Sequence, residues 1–401
     1  MLRRLSVTIT VTSFWLLCSS IAQADTKKPK LPDKFPQNPL LMIAPDPLIP
    51  RSVDKQPLTI EELRTLEPAL DELNQQAATQ LQAGDRVGAF ETWNREIRLR
   101  RYFGALTEVQ ALSRVGAIAW NENDKPQVRY VTERLQSIQK SEKTPNLELL
   151  QALGQGYQKV RSPKLALEVY NQALTLVRQQ QDSSAEIETL KTIAEVHLSW
   201  FDYQNAAATY EQLLGLGSTK SNPQSELAYL QQLAYVYQQA KQVQLSLNTR
   251  TKIAEIYQSQ NNLAELSGLK LAIASDYESL AKENPGLLKD AFKNYQDAYT
   301  TAWQSQQYAR AGEALQKLIA LYRSQGQLEE ALQATQILVQ TEQRAVNFYE
   351  MMNAYDQMGQ IYLERKEYPQ ALAAFKKGLE LAQQLKHQEA YFTEKVQQTS
   401  K

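Results

Sequence analysis

Leu153-Gly154-Gln155-Gly156-Tyr157 and, nine residues on, Ala166-Leu167-Glu168-Val169-Tyr170 form the stretch that decides the fold. Leu150, Leu153, Gly154 and Tyr157 fall at offsets of three, four and seven, the spacing of one helix face. Ala166 and Tyr170, four apart, mark a second helix that pairs a small residue with an aromatic one.

Working outward, the same grammar returns at a fixed step. Tyr157, His197, Tyr237 and Tyr277 stand 40 residues apart, as do Tyr322 and Tyr362, with a five-residue insertion between the two series. Four residues before each marker stand Leu153, Ile193, Leu233, Ile273, Leu318 and Met358; three before stand Gly154, Ala194, Ala234, Ala274, Ile319 and Gly359. Seven before, Lys270 alone breaks the apolar and aromatic series. Ala206/Tyr210 and Ala371/Phe375 repeat the second-helix pair, Ala291/Tyr295 is displaced by the insertion, and Ser246/Arg250 and Ala331/Thr335 are degenerate copies. Upstream, Leu112, Val115, Gly116 and Ala119 with Ala89 and Trp93 extend the array to about eight helix pairs.

This recurrence resembles the tetratricopeptide (TPR) repeat family, whose W-x2-L-G-x2-Y…A-x3-F pattern matches the stripe over roughly residues 66 to 385. The resemblance implies an all-α, TPR-like α-solenoid, a right-handed superhelix of stacked helix pairs. The departure is length. Ala166 to Leu190 is 24 residues, about six more than a 34-residue repeat allows. The excess is expected in the second helix or in the loop after it. Ser162-Pro163 and Asn222-Pro223 place capping side chains before a first-turn proline, Thr59-x-x-Glu62 reads as a capping box, and Asn284-Pro285-Gly286 reads as a turn. The increasingly polar stretch after Phe375 is expected to cap the array, so the repeat domain spans 59–400.

Ahead of the repeats the composition changes. Residues 1–24 have the layout of a secretory signal peptide: Arg3-Arg4, an apolar run from Leu5 to Leu17, and Ala22-Gln23-Ala24 as a cleavage site. A retained N-terminal anchor is the alternative, and the apolar run is short for a membrane span. Leu17 before Cys18 departs from a lipobox, and Arg3-Arg4 lacks the large apolar follow-on of a twin-arginine signal. The chain is therefore expected to be exported to the periplasm or another extracytoplasmic compartment. Export and glutamine-rich composition resemble bacterial, possibly cyanobacterial, TPR proteins. Cleavage would remove Cys18, the one cysteine, leaving no disulfide or thiolate metal site. Residues 25–58 carry eight of the 15 prolines and read as an extended linker. Within it, Leu40 to Ile43 and Leu48-Ile49 are apolar enough to dock on the chain's own helices or to engage a partner.

With 44 basic and 44 acidic residues there is no single-sign field to draw a nucleic acid, and no cofactor motif appears. His197 takes a marker position and is expected to be a packed core ring. Gly215 to Ser221 lacks the glycines of a phosphate loop and is expected to be a loop between repeats. Arg95, Arg98, Arg100 and Arg101 form the densest basic cluster, interleaved with Glu91 and Glu96, and read as a solvated helix face. No enzyme is expected.

The resemblance implies that partners bind where first helices line a concave groove. Carried onto this register, the candidate partner-binding residues are Trp120, Gln155, Lys191, Tyr235, Gln316 and Gln360. The expected function is a non-catalytic protein–protein interaction scaffold outside the cytoplasm, holding a protein or peptide in that groove. The alternative is a cell-envelope assembly subunit that engages its partner through the proline-rich segment.

Overall fold

The computed structural model describes residues 36–42, 45–49, 57–219 and 223–400. The expected signal peptide, Ile43 and Asn222 lie outside the described residues. By contact the chain forms two compact units, Met1–Tyr102 and Phe103–Lys401. The first unit holds α1 (Ile60–Gln82) and α2 (Arg86–Arg100). The second holds α3 (Ala105–Asn121), α4 (Lys125–Ser141), α5 (Leu147–Lys159), α6 (Pro163–Gln179), α7 (Ser183–Ser199) and α8 (Tyr203–Thr219). It continues through α9 (Pro223–Gln239), α10 (Val243–Ser259), α11 (Leu263–Ala281), α12 (Leu288–Gln304), α13 (Tyr308–Ser324) and α14 (Leu328–Arg344). It ends in α15 (Phe348–Glu364), α16 (Tyr368–Leu385) and α17 (Glu389–Thr399). The architecture is all-α and TPR-like: eight helix pairs and a terminal helix, with no strand among the described residues.

The excess length of the repeat is helical. Most helices have 17 residues, about 25 Å at 1.5 Å per residue, and the connection from α6 to α7 is only three residues, Gln180 to Asp182. The connections explain the regular step. Arg161, Gln181, Phe201, Lys241, Asn261, Gln306, Val346 and Lys366 all have φ between 53° and 62°. At each, the left-handed residue and its successor bond back to the helix just ended. At the first, Arg161 N–H reaches Gln158 O at 3.0 Å and Ser162 N–H reaches Tyr157 O at 2.8 Å, the Schellman arrangement. Turns within pairs and turns between pairs share this geometry, so a 20-residue helix-and-turn module underlies the 40-residue repeat.

Capping follows the expectations in part. Thr59 and Glu62 form the capping box, and Asn284 accepts from Gly286 N–H. Ser162, however, makes no side-chain cap; proline at the first helical position and the preceding turn start α6 without it. Gly215 to Thr219 corrects a second expectation: it is the last turn of α8 rather than a loop. Its N–H groups belong to a helix interior and cannot form a phosphate cradle.

Packing follows the register. Gly154 on α5 faces Tyr170 on α6 so closely that a Cβ there would come within 3.0 Å of the ring. Gly359 and Phe375 repeat the relation in the last pair. In the same register α13 and α14 carry Ile319 and Thr335, 2% and 0% exposed, with the large residue now on the first helix. The array closes on α17, whose Phe392 is fully buried against Gly378.

One buried acid stands out from this packing. Glu342 on α14 is 2% exposed, faces Gly312 of α13, and has one carboxylate oxygen without a hydrogen-bond partner. Burial, with the Glu350 charge adding to it, pushes its pKa up to about 7. The folded state therefore holds a proton that the unfolded chain has already lost above its ordinary value of 4.5. Stability falls as pH rises through that window, and the penalty is fully present above about 7. Glu342→Gln is expected to raise the unfolding midpoint at pH 8 and to leave it nearly unchanged at pH 4.5. A mutant-to-wild-type difference that stays flat with pH would contradict this account.

Candidate functional site

In the first unit the basic cluster turns inward. Arg95 makes a two-pronged ion pair with Asp46, at 2.7 and 2.8 Å, and Arg98 Nη1 donates to Pro39 O at 3.1 Å. Arg100 bonds Asp71 at 2.6 Å and Glu96 at 3.0 Å. The hydrogen bond from Arg95 holds the Asp46 pKa below its ordinary value. Leu40 is fully buried beside them, on a short 3-10 turn (Pro39–Leu41) that packs on α2. The solvated-face reading of the cluster is thus corrected: Arg95 and Arg98 seat the chain's own proline-rich segment, and Arg100 ties α2 to α1 through Asp71. At Leu40 the docked use of its apolar residues is the one observed. Leu41 and Met42 remain 47% and 45% exposed.

In the second unit the first helices α3 and α5 pack directly on each other. Between them lies a hollow of about 460 Å³ lined by Ala117, Trp120 and Asn121 of α3, by Gln155, Gln158 and Lys159 of α5, and by Arg161 of the following turn. Trp120 is 46% exposed, and the Arg161 guanidinium sits 6.0 Å from its ring centroid, cation–π distance. Gln158 is held by its bond to the Tyr170 hydroxyl, 2.8 Å. The Gly154–Tyr170 contact and this bond connect the hollow's floor to the core. Two of the six candidate residues, Trp120 and Gln155, thus meet in one site.

The other four do not join them. Farther along the unit, each second helix packs on its own first helix and also on the next one: α8 on α9, α10 on α11, α12 on α13 and α14 on α15. Direct first-helix adjacency of the α3–α5 kind is not repeated there at comparable extent. Lys191 pairs with Glu188 at 2.8 Å. Gln316 donates to Glu350 at 2.9 Å, and Gln360 donates to Asp356 at 2.5 Å. Asp356 also accepts from the Tyr391 hydroxyl of α17 at 2.9 Å, so the terminal helix meets the groove register of the last pair. Tyr235 is 48% exposed on α9 and has no hydrogen-bond partner among the described residues. Lys159 and Arg161 were missed by the groove register, because one lies at the last position of α5 and the other in a turn.

His197 is largely enclosed, its side chain 13% exposed, and its Nδ1 lies 3.0 Å from Asp202 Oδ2. Other marker residues reach the preceding second helix instead: Tyr157 donates to Gln139 at 2.6 Å, Tyr237 bonds Glu211, and Tyr322 accepts from Gln296 at 3.1 Å. The imidazole is too short for that reach and turns to the acid that opens α8. No group of three or more His, Cys, Asp or Glu placed to hold a metal ion occurs among the described residues. Nor is any described helix long and apolar enough to cross a membrane.

No protein-family model matches the chain, and no curated protein does. Solved structures of low similarity do. One is BtubC from P. vanneervenii, 15% identical, covering 56% of this chain and 92% of that one, at a TM-score of 0.38. A second is the ATPase with a tetratricopeptide repeat sensor from Pyrococcus horikoshii, 12% identical, covering 86% and 53%, also at 0.38. A third is a Rap protein complexed with competence and sporulation factor, 14% identical, covering 83% and 98%, at 0.32.

Proposed function

We propose that this protein is a non-catalytic protein–protein interaction scaffold that works outside the cytoplasm and holds a protein or peptide on its first-helix face. The observation that carries the reading is Trp120, an indole left 46% exposed in a 460 Å³ hollow between two directly packed first helices. A large aromatic side chain kept accessible in a concave, amide-lined site has the makings of a binding anchor. The signal-like leader supports work beyond the cytoplasmic membrane.

Anchors and rim should separate in a capture assay with the protein's own extracytoplasmic extract. Trp120→Ala is expected to weaken capture by about thirtyfold, roughly 2 kcal/mol, and Gln316→Ala by less than about threefold. Unfolding midpoints should stay within a degree or two. A second reading is favoured by Leu41 and Met42, which stay half-exposed beside the buried Leu40. If capture survives Trp120→Ala and Tyr235→Ala together but fails on Leu41→Asp with Met42→Asp, the partner binds the proline-rich segment and the groove reading is wrong.

A further inference from the structure

We infer that the turn between α7 and α8 docks the protein on an anionic lipid bilayer, with Trp200 and Phe201 in the interface and the cations of the neighbouring turns on the lipid phosphates. The inference is independent of the groove reading above, since neither aromatic residue lines the α3–α5 hollow. Phe201 is 75% exposed and Trp200, beside it in the chain, is 44% exposed. The Phe201 ring stands edge-on to Tyr203 at 6.3 Å, so three aromatic residues gather at this tip. Phe201 has a φ of 59°, a left-handed conformation that bulky residues seldom take. The fold does not require a ring there, because Arg161, Gln181, Lys241 and Gln306 serve in equivalent turns.

Topology decides what flanks the tip. Every connection from α5 to α10 has three residues, so successive helices run antiparallel. The turns at Arg161, Phe201 and Lys241 therefore lie at the same end of three consecutive pairs. The two flanking turns carry Lys159, Arg161, Lys164 and Lys241, all exposed, with no acid over residues 158–164 or 238–244. At the aromatic tip the acid is Asp202, and its carboxylate is turned back on His197 and Asn205, at 3.0 and 2.8 Å. A protruding apolar tip with cations on both sides matches the layers of an anionic bilayer. Its headgroups attract Lys and Arg, and its interfacial zone takes up aromatic rings. A protein partner fits less well, because a stable interface buries about 800 Å² on each side and a narrow tip offers far less.

An environment-sensitive fluorophore on a single cysteine tests this in the full chain, where the N-terminal leader contributes equally to every variant. The cysteine is placed by Phe201→Cys, or by Val346→Cys as the control, each with Cys18→Ser. Val346 is 69% exposed in a turn of the same left-handed kind, but it follows a second helix and so lies at the opposite end. The vesicles are phosphatidylcholine, alone or with about one third phosphatidylglycerol. On the anionic vesicles the label at 201 should brighten about threefold and shift to the blue, as in an interfacial environment, while the label at 346 stays unchanged. Arg161→Gln with Lys241→Gln should raise the lipid concentration needed at 201 by about tenfold, and added salt should do the same to the unsubstituted turns. Glutamine already serves in such turns at Gln181 and Gln306, so these changes keep the backbone. A label at 201 that stays dark, equal changes at 201 and 346, or an equal response to neutral vesicles overturns the inference. So does a response at 201 that is untouched in the double glutamine variant. If the label stays dark on vesicles while Phe201→Gln lowers capture of a protein partner, the tip is a protein contact and not a membrane one.

Discussion

Arg250→Ala is expected to be the most damaging single change outside the caps, costing about 3–5 kcal/mol. Arg250 lies on α10 where other repeats carry the second-helix aromatic, and the place of a ring is taken by a charged network. Its Nη1 donates to Asp276 of α11 at 2.6 Å and its Nη2 to Gln238 of α9 at 2.6 Å, while Ser246 donates to Asp276 at 3.3 Å. Both ionic side chains are only 10% exposed. Burial pushes the Asp276 pKa up in spite of the neighbouring guanidinium, so desolvation outweighs the pair's attraction. Removing the arginine leaves that acid buried with Ser246 as its one bonded neighbour. Because each pair contacts only its neighbours, the loss should be local. Urea unfolding should move to lower concentration, and hydrogen exchange should speed up first in α9, α10 and α11. Arg250→Met with Asp276→Leu should recover most of the loss. A single variant as stable as the wild type would mean the three-helix network does not form.

The second large effect is at Gly154. Leucine there must displace the Tyr170 ring, which is 2% exposed and hydrogen-bonded to Gln158. A cost of about 3 kcal/mol is expected from overpacking. The array itself supplies the rescue. At Ile319 and Thr335 the large residue sits on the first helix and the small one on the second, both buried. Tyr170→Thr placed in the Gly154→Leu background should therefore regain part of the stability, although it is a large-to-small change that alone would cost several kcal/mol. Thermal unfolding of the four chains of this cycle measures the coupling. Additive losses would show that the two positions do not face each other.

The fold was legible because burial follows the stripe: Leu150, Leu153, Tyr157, Leu190 and Leu230 repeat at the helical offsets and are all buried. The 20-residue module was not, since its signature is a left-handed backbone at residues as unlike as Arg161, Phe201 and Val346. Hydrogen bonding, and not side-chain type, sets those turns. The Arg250/Ser246 pair looked like decay because sequence periodicity counts rings, whereas Asp276 lies in the next helix, 26 positions away. The site was half legible. Trp120 and Gln155 came from the groove register, and Lys159 and Arg161 escaped it. Gln316 meets Glu350 only because packed helices bring them together, whereas Lys191 and Gln360 pair with Glu188 and Asp356, three and four residues away on their own helices. The basic cluster at Arg95 and Arg98 misled for the same reason, its counter-groups Asp46 and Pro39 O lying 49 and 59 residues earlier.

The central claim is that partners bind at the α3–α5 hollow. Site-specific photo-crosslinking tests it most directly, with a photoreactive amino acid placed in turn at Gln155, at the exposed second-helix residue Gln172, and at Met42. Illumination of each full-length variant with its native extracytoplasmic extract is expected to give a defined adduct at position 155, lost when Trp120→Ala is added. Positions 172 and 42 should remain free of it. An adduct at 42 or 172 with none at 155 would contradict the account.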